Sequence, residues 1–193
     1  SEAALQYRHL FLDLDALVFT NLQKEHLEAH GGMENYFRAK FRLGKSLARS
    51  HKRPRAVIAN ADDPYGTRFL ALPVENRIPF SYTNAKDAVL KDGSVSFMYG
   101  NTRFDIPHPG AMSVMNALAA VKAAEFLGVP LEVSSRALAE LSRIPGRAER
   151  IDAGQPFLAI VDYAHTPDSL QALYEAIAPR HSTGPVRRLI CVL

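Results

Sequence analysis

Short apolar runs that end abruptly at polar clusters limit what this chain can fold into. Ala16-Leu17-Val18-Phe19 stops at Thr20-Asn21, and Ala56-Val57-Ile58-Ala59 stops at Asn60-Ala61-Asp62-Asp63-Pro64. A third run, Phe157 to Val161, stops at Asp162-Tyr163-Ala164-His165. Runs this short, without polar alternation, suit strands covered on both faces. Between the first two, Met33 to Ala48 carries Tyr36, Ala39, Lys40, Leu43 and Leu47 at helical spacing. Strand, helix and strand in that order predict an α/β fold.

Further elements follow from local signals. Arg68 to Leu72 reads as a short helix and Pro79 to Tyr82 as a strand. Ser94 to Met98 and Thr102 to Ile106 flank Tyr99-Gly100-Asn101, a hairpin pattern. Ser113 to Leu127 is an Ala-rich helix, capped by its serine and stopped by Gly128-Val129-Pro130. A second helix is expected from Glu132 to Leu141. Beyond Gly154, the strand Phe157 to Val161, the helix Pro167 to Ile177 and the strand Arg188 to Leu193 form a β-α-β unit. That unit reads as the opening of a separate parallel sheet, with a domain boundary near Ala153. The start at Ser1 without a methionine, and the end inside the run Leu189 to Leu193, predict a longer parent chain.

Composition removes several classes of function. The 193 residues carry a net charge of +3 and 22% charged side chains, which fits a folded domain and not a disordered one. The one cysteine, Cys191, excludes an internal disulfide framework and a Cys-rich zinc site. No apolar run approaches the roughly 20 residues that span a bilayer, so a cytoplasmic location is expected.

Five motifs bear on chemistry. Ala39-Lys40-Phe41-Arg42-Leu43-Gly44-Lys45-Ser46 fits a loose phosphate-loop pattern, but it continues a helical stripe and no glycine opens a turn. It reads as a coincidence. Arg38 to Arg55 holds eight Lys/Arg residues and no carboxylate, with Phe41 as its aromatic. A solvated helix face explains that run better than a nucleic-acid site. His26 and His30 lie one helical turn apart beside Glu25 and Glu28, which suits either metal ligands or exposed helix histidines. Asn60 to Pro64 follows a strand and suits either a ligand loop or a helix cap. Asp162 to Asp168 places a carboxylate, a phenol and an imidazole just before a helix N-terminus, and reads as a site.

Taken together, Phe19-Thr20-Asn21-Leu22, Glu25 to Gly31, Tyr36 to Lys40, Asn60 to Asp63, Pro145 to Arg150 and Val161 to Ser169 resemble the Mur ligases. The resemblance is to the MurE type, and it covers essentially the whole chain. It implies an α/β fold: a Mur-ligase central domain over 1–152, with a mixed or parallel sheet and flanking helices, lacking its N-terminal part. The start of a Rossmann-like C-terminal ligase domain would follow over 153–193. It implies an ATP-dependent ligase adding the third amino acid to UDP-MurNAc-L-Ala-D-Glu in peptidoglycan synthesis, with ATP and Mg2+. The implied partners are that nucleotide-linked dipeptide and an amino acid. Nucleic acid and membrane insertion play no part, and the protein would be a monomer.

Site residues carry over by position. His26 would ligate magnesium, and Lys40 would be carbamylated to help hold it. Asn116 would lie near the adenine, Arg147 against ATP phosphate, and Asp162 at the ribose, with Tyr163 and His165 lining that pocket. Ser1 and Arg8 would be substrate-binding. Arg147 and Asp162, flanking Ala153, are expected on opposite sides of an inter-domain cleft. The phosphate loop, a magnesium-binding glutamate and the uridine-binding domain would precede Ser1, and the amino-acid-selecting motif would follow Leu193. Ser113 stands where the family usually has an asparagine, and Ala148 where it commonly has a methionine. Rival readings are a cyanophycin- or folylpolyglutamate-type ligase, or a non-catalytic protein of the same fold.

Overall fold

Parallel pairing organises the first part of the chain. A computed structural model describes residues 2–23, 31–91, 93–141, 144–177 and 188–192. Residues 24–30, with His26 and His30, lie outside it, as does Ser1. The residues gather into two compact units: 1–84 with 115–134, and 85–114 with 135–193.

The first unit begins with a four-residue helix, α1 (Glu2–Leu5). It then builds a parallel sheet in the order β1 (Ala16–Phe19), β2 (Ala56–Asn60), β3 (Asn76–Phe80). Ala16 pairs with Ala56 and Val57 with Arg77. The central β2 is apolar without alternation because both its faces are covered, and Ala56, Val57, Ile58 and Ala59 are fully buried.

Helix α2 (Met33–Arg49) links β1 to β2 and buries Tyr36, Phe37, Ala39, Gly44 and Leu47. The buried stripe is rotated slightly from the sequence reading. Phe37 and Gly44 enter it, while Lys40 and Leu43 sit half-buried at its edge. Phe37 belongs there because it meets Phe69 edge-on at 5.7 Å, and Phe69 stacks on Phe19 at 4.3 Å. Each fully buried phenylalanine contributes roughly 1.5–3 kcal/mol. Phe69 comes from α3 (Gly66–Leu70), which starts two residues before the expected position.

The second unit opens with an antiparallel meander: β4 (Lys86–Lys91), β5 (Ser94–Tyr99) and β6 (Thr102–Ile106). The expected hairpin is present, with Tyr99 facing Thr102 and Gly100 at φ +58 in the turn. Phe97 and Phe104 stack at 5.3 Å beneath it. The units change within helix α4 (Ala111–Phe126) and again within the helix that follows it, α5 (Leu131–Glu140). Ser113 is not the cap of α4. It lies inside the helix, and its hydroxyl donates to the Pro109 carbonyl at 2.6 Å.

The chain then forms an antiparallel pair, β7 (Glu149–Ile151) with β8 (Ala159–Val161), whose turn contains Ala153. Helix α6 (Pro167–Ile177) has the bounds its sequence predicted. Thr166 caps it: its hydroxyl accepts the Ser169 N–H at 3.3 Å, and Ser169 Oγ accepts the Thr166 N–H at 2.9 Å. Proline then occupies the first helical position, where no N–H is missed. Residues 188–192 lie in no strand, so β8 is paired with β7 and not with the parallel partner expected there.

Candidate functional site

Two polar clusters follow apolar strands, and they use their side chains differently. After β2, every polar group is tied to backbone. Asn60 Nδ2 donates to the Thr20 carbonyl at 2.9 Å, and its Oδ1 accepts the Asp62 N–H at 2.9 Å. Asp62 accepts the Tyr82 N–H at 2.7 Å. Asp63 accepts the N–H groups of Leu22 and Tyr65, both at 2.8 Å. The loop is thus a staple joining the ends of β1, β2 and β3. Gly66 closes it, because a Cβ there would sit 1.8 Å from the Asn60 carbonyl oxygen.

The opposite end of the same sheet is fastened by a buried arginine. Arg55 makes a bidentate pair with Glu75, at 3.0 Å and 2.8 Å, and donates to the Ala48 carbonyl at the end of α2. Glu75 also accepts the Arg55 backbone N–H at 2.8 Å. These bonds from Arg55 hold the Glu75 carboxyl down to about 2.

The basic run from Arg38 to Arg55 is half accounted for by carboxylates outside it. Arg38 pairs with Glu34, Lys52 with Asp15, and Arg53 and Arg55 with Glu75. Ala39 to Ser46, the phosphate-loop look-alike, lies in the interior of α2, where the backbone N–H groups serve the helix.

Lys40 places its Nζ 4.9 Å from the centre of the Tyr36 ring. None of the described carboxylates forms an ion pair with it. Asn116 is exposed on α4. Arg8 is exposed in the turn after α1, its backbone N–H bonded to the Ala3 carbonyl at 2.9 Å. Among the described residues, no three His, Cys, Asp or Glu side chains converge to hold a metal ion. The residues present therefore do not by themselves make a magnesium site, and the histidine expected to contribute, His26, lies outside the described residues.

The cluster after β8 gathers four of the expected residues. The Arg147 guanidinium lies over the Tyr163 ring at 4.9 Å, and the Tyr163 and His165 rings meet edge-on at 5.0 Å. Tyr163 and His165 are exposed, whereas Asn60 and Asp63 of the staple are half-buried. His165 Nδ1 lies 2.9 Å from the Tyr163 carbonyl, which can only accept, so Nδ1 carries a proton in that bond. Asp162 accepts the Ala164 N–H at 2.7 Å and the Ala148 N–H at 2.6 Å. Arg147 and Asp162 are thus drawn together through one backbone bond, and do not face each other across a cleft.

A cavity of about 270 Å³ adjoins this cluster, lined in part by Ser94, His108, Ile144, Arg147, Glu149 and Arg150. His108, which the sequence reading passed over, is buried there, with Nε2 donating to the Leu141 carbonyl at 3.1 Å. Its signal was a histidine held between Pro107 and Pro109 directly after a strand. Chemically, an exposed guanidinium on an aromatic platform offers in-plane donors to phosphate oxygens.

Comparison with known proteins identifies the family. The Mur ligase middle domain matches residues 1–124, and the Mur ligase, glutamate ligase domain, matches residues 146–193. A UDP-N-acetylmuramoyl-L-alanyl-D-glutamate--2,6-diaminopimelate ligase of Gloeobacter violaceus is 39% identical over all of this chain and 40% of its own length. A UDP-N-acetylmuramyl-tripeptide synthetase of Roseiflexus is 40% identical over 86% of this chain and 36% of its own. The chain spans about two-fifths of the length of these relatives. MurF from Acinetobacter baumannii superposes with a TM-score of 0.72 at 24% identity, over 85% of this chain and 37% of that one, which shows the shared fold. With both domain matches in chain order and identity extending over its whole length, the chain belongs to the Mur ligase family.

Proposed function

We propose that this chain serves an ATP-dependent amide ligase that joins the third amino acid to UDP-MurNAc-L-Ala-D-Glu in peptidoglycan synthesis. The observation that supports it most is the 39% identity, over the entire chain, to a relative named as the 2,6-diaminopimelate ligase of that dipeptide. That name makes 2,6-diaminopimelate the first candidate for the amino acid, and lysine the second. Residues 1–152 would belong to the central ATP-using domain and 153–193 to the C-terminal ligase domain. The protein would work in the cytoplasm as a monomer; among the described residues, no helix is long and apolar enough to cross a membrane.

The reaction passes the γ-phosphoryl group of ATP to the glutamate carboxylate, releasing ADP. The incoming amine then attacks the acyl phosphate and expels phosphate. Phosphoryl transfer of this kind depends on positioning and on cations that spread charge. Arg147 supplies a fixed cation for phosphate oxygens. Tyr163 and His165 would line the nucleotide pocket, Asp162 would reach the ribose, and Asn116 would lie near the adenine. His26 and a carbamylated Lys40 would hold the magnesium ion that neutralises phosphate charge, and Ser1 and Arg8 would touch the nucleotide-linked substrate.

The test uses the full-length protein containing this chain. Phosphate release should require ATP, UDP-MurNAc-L-Ala-D-Glu and either 2,6-diaminopimelate or lysine together. Lys40→Arg, which keeps the charge but cannot form a carbamate, should lower turnover by at least about tenfold. A carbamate signal from ¹³C-bicarbonate should disappear with it. Phosphate release independent of the dipeptide would overturn the proposed reaction. Near-normal turnover of Lys40→Arg would remove the carbamate and leave Lys40 as a lysine packed on Tyr36.

A further inference from the structure

We infer that Asp162 is a positioning residue for Arg147, acting through the backbone N–H of Ala148. The inference rests on the proposed ligase reading and assigns Asp162 a role beyond any contact with the nucleotide.

Pro145 and Gly146 form the centre of a tight turn closed by the Arg147 N–H on the Ile144 carbonyl, and Arg147 and Ala148 lead from it into β7. Gly146 and Ala148 both have positive φ, +67 and +45. For an alanine that conformation is disfavoured, so something outside the residue must hold it. Three consecutive N–H groups of the turn have acceptors. Gly146 donates to Glu149 Oε2 at 2.7 Å, Arg147 to the Ile144 carbonyl at 3.0 Å, and Ala148 to Asp162 Oδ2 at 2.6 Å. The first two partners lie within three residues of their donors. Of the three, Asp162 alone is distant, fourteen residues on, and it holds Ala148 just ahead of the point where Glu149 enters the pairing with Val161.

The same stretch also holds the arginine side chain. Tyr163, next to Asp162, lies under the Arg147 guanidinium at 4.9 Å. One dipeptide therefore fixes Arg147 at two points, its backbone through Ala148 and its head group through the Tyr163 ring. The other carboxylate oxygen of Asp162 accepts the Ala164 N–H at 2.7 Å, which orients the carboxylate for the long-range bond. A charged acceptor makes both bonds stronger than a neutral amide would. Each oxygen keeps a lone pair for a ribose hydroxyl, so the two roles can be separated.

Asparagine at 162 has one acceptor oxygen for two N–H donors and turns its own NH2 toward the other. In the full-length protein, Asp162→Asn should reduce kcat about ten- to a hundredfold, as expected when a phosphate-binding cation is displaced by about an ångström. The loss should be the same with ATP and with 2′-deoxy-ATP. In an Arg147→Lys background, Asp162→Asn should cost less than about a further twofold. Ala148→Gly accepts positive φ without strain, so it should recover a substantial part of the activity lost in Asp162→Asn.

The ring-current shift of the Arg147 Nε–H in NMR reads the same arrangement without any reaction. It should collapse in Asp162→Asn and in Tyr163→Leu, and persist in His165→Ala. Additive losses with Arg147→Lys, no rescue by Ala148→Gly, or an unmoved Arg147 signal in Asp162→Asn would overturn the inference. Absence of ligation by the wild type would overturn the proposed activity instead, and the NMR comparison would still decide this one. If Asp162→Asn does not fold, Ala148→Gly on that background gives the variant in which the same signal is read.

Discussion

The loops after β2 and β8 look alike in sequence and differ in what their side chains face. Each follows an apolar strand and packs a carboxylate and other polar groups into a few residues. In the first, Asn60, Asp62 and Asp63 all bond to backbone, so the loop fastens three strand ends. In the second, Asp162 binds backbone through both oxygens and His165 through Nδ1, while the Tyr163 ring, the remaining edge of His165 and the neighbouring Arg147 stay exposed. Polar density after a strand therefore does not separate a staple from a site. The separating property is whether backbone donors and acceptors already occupy the side chains.

The sharpest way to break that contrast is at Gly66. A methyl group there meets the Asn60 carbonyl, so Gly66→Ala should destabilise by about 3 kcal/mol or more. Asp63→Ala strands the N–H groups of Leu22 and Tyr65 and should cost about 1–3 kcal/mol. Urea denaturation followed by circular dichroism measures both, and stability equal to wild type in the two variants would make the first loop something other than a staple.

An intermediate effect is expected from Glu75, at the other end of the same sheet. Its folded pKa, about 2, lies below the ordinary glutamate value of 4.5, so the unfolded chain binds the extra proton between those values. The stabilisation is complete above about pH 4.5 and is lost as pH falls toward 2. Glu75→Gln should flatten the acid limb of stability against pH, and an unchanged slope would rule out this pair as its source.

The smallest effect belongs to the second loop. His165→Ala should change stability by less than about 0.5 kcal/mol, because the ring is exposed. Tyr163→Leu should cost about 0.5–1 kcal/mol through the lost Arg147 contact. A large destabilisation from His165→Ala would make the second loop a staple as well.

The sequence made the buried elements legible and the edges obscure. Ala56 to Ala59 and Pro167 to Ile177 were readable because an uninterrupted apolar run and a proline-led, capped helix are local signals. Strand β4 was missed because Lys86, Asp87 and Lys91 face solvent and a register shift interrupts its pairing between Lys86 and Val89. β7 was missed because three residues carry too little pattern. Ser113 misled because a hydroxyl at a helix start can equally bond back to a carbonyl four residues earlier. In the candidate site, the side chains that gather could be named in advance. The bond that organises them could not, because its donor is the backbone of Ala148, where the sequence shows only an alanine.

The division within α4 has a consequence for the order in which the protein can be made. Residues 1–84 belong with 115–134, yet residues 85–114 intervene and belong to the other unit. Neither unit can be cut free at one point, since each is assembled from two separated stretches. During synthesis β1, β2 and β3 leave the ribosome well before the helical residues that complete their unit. The aromatic core against that sheet comes from residues 19–74, so it is complete in the early stretch, and the helical residues join the unit only after the meander has been made.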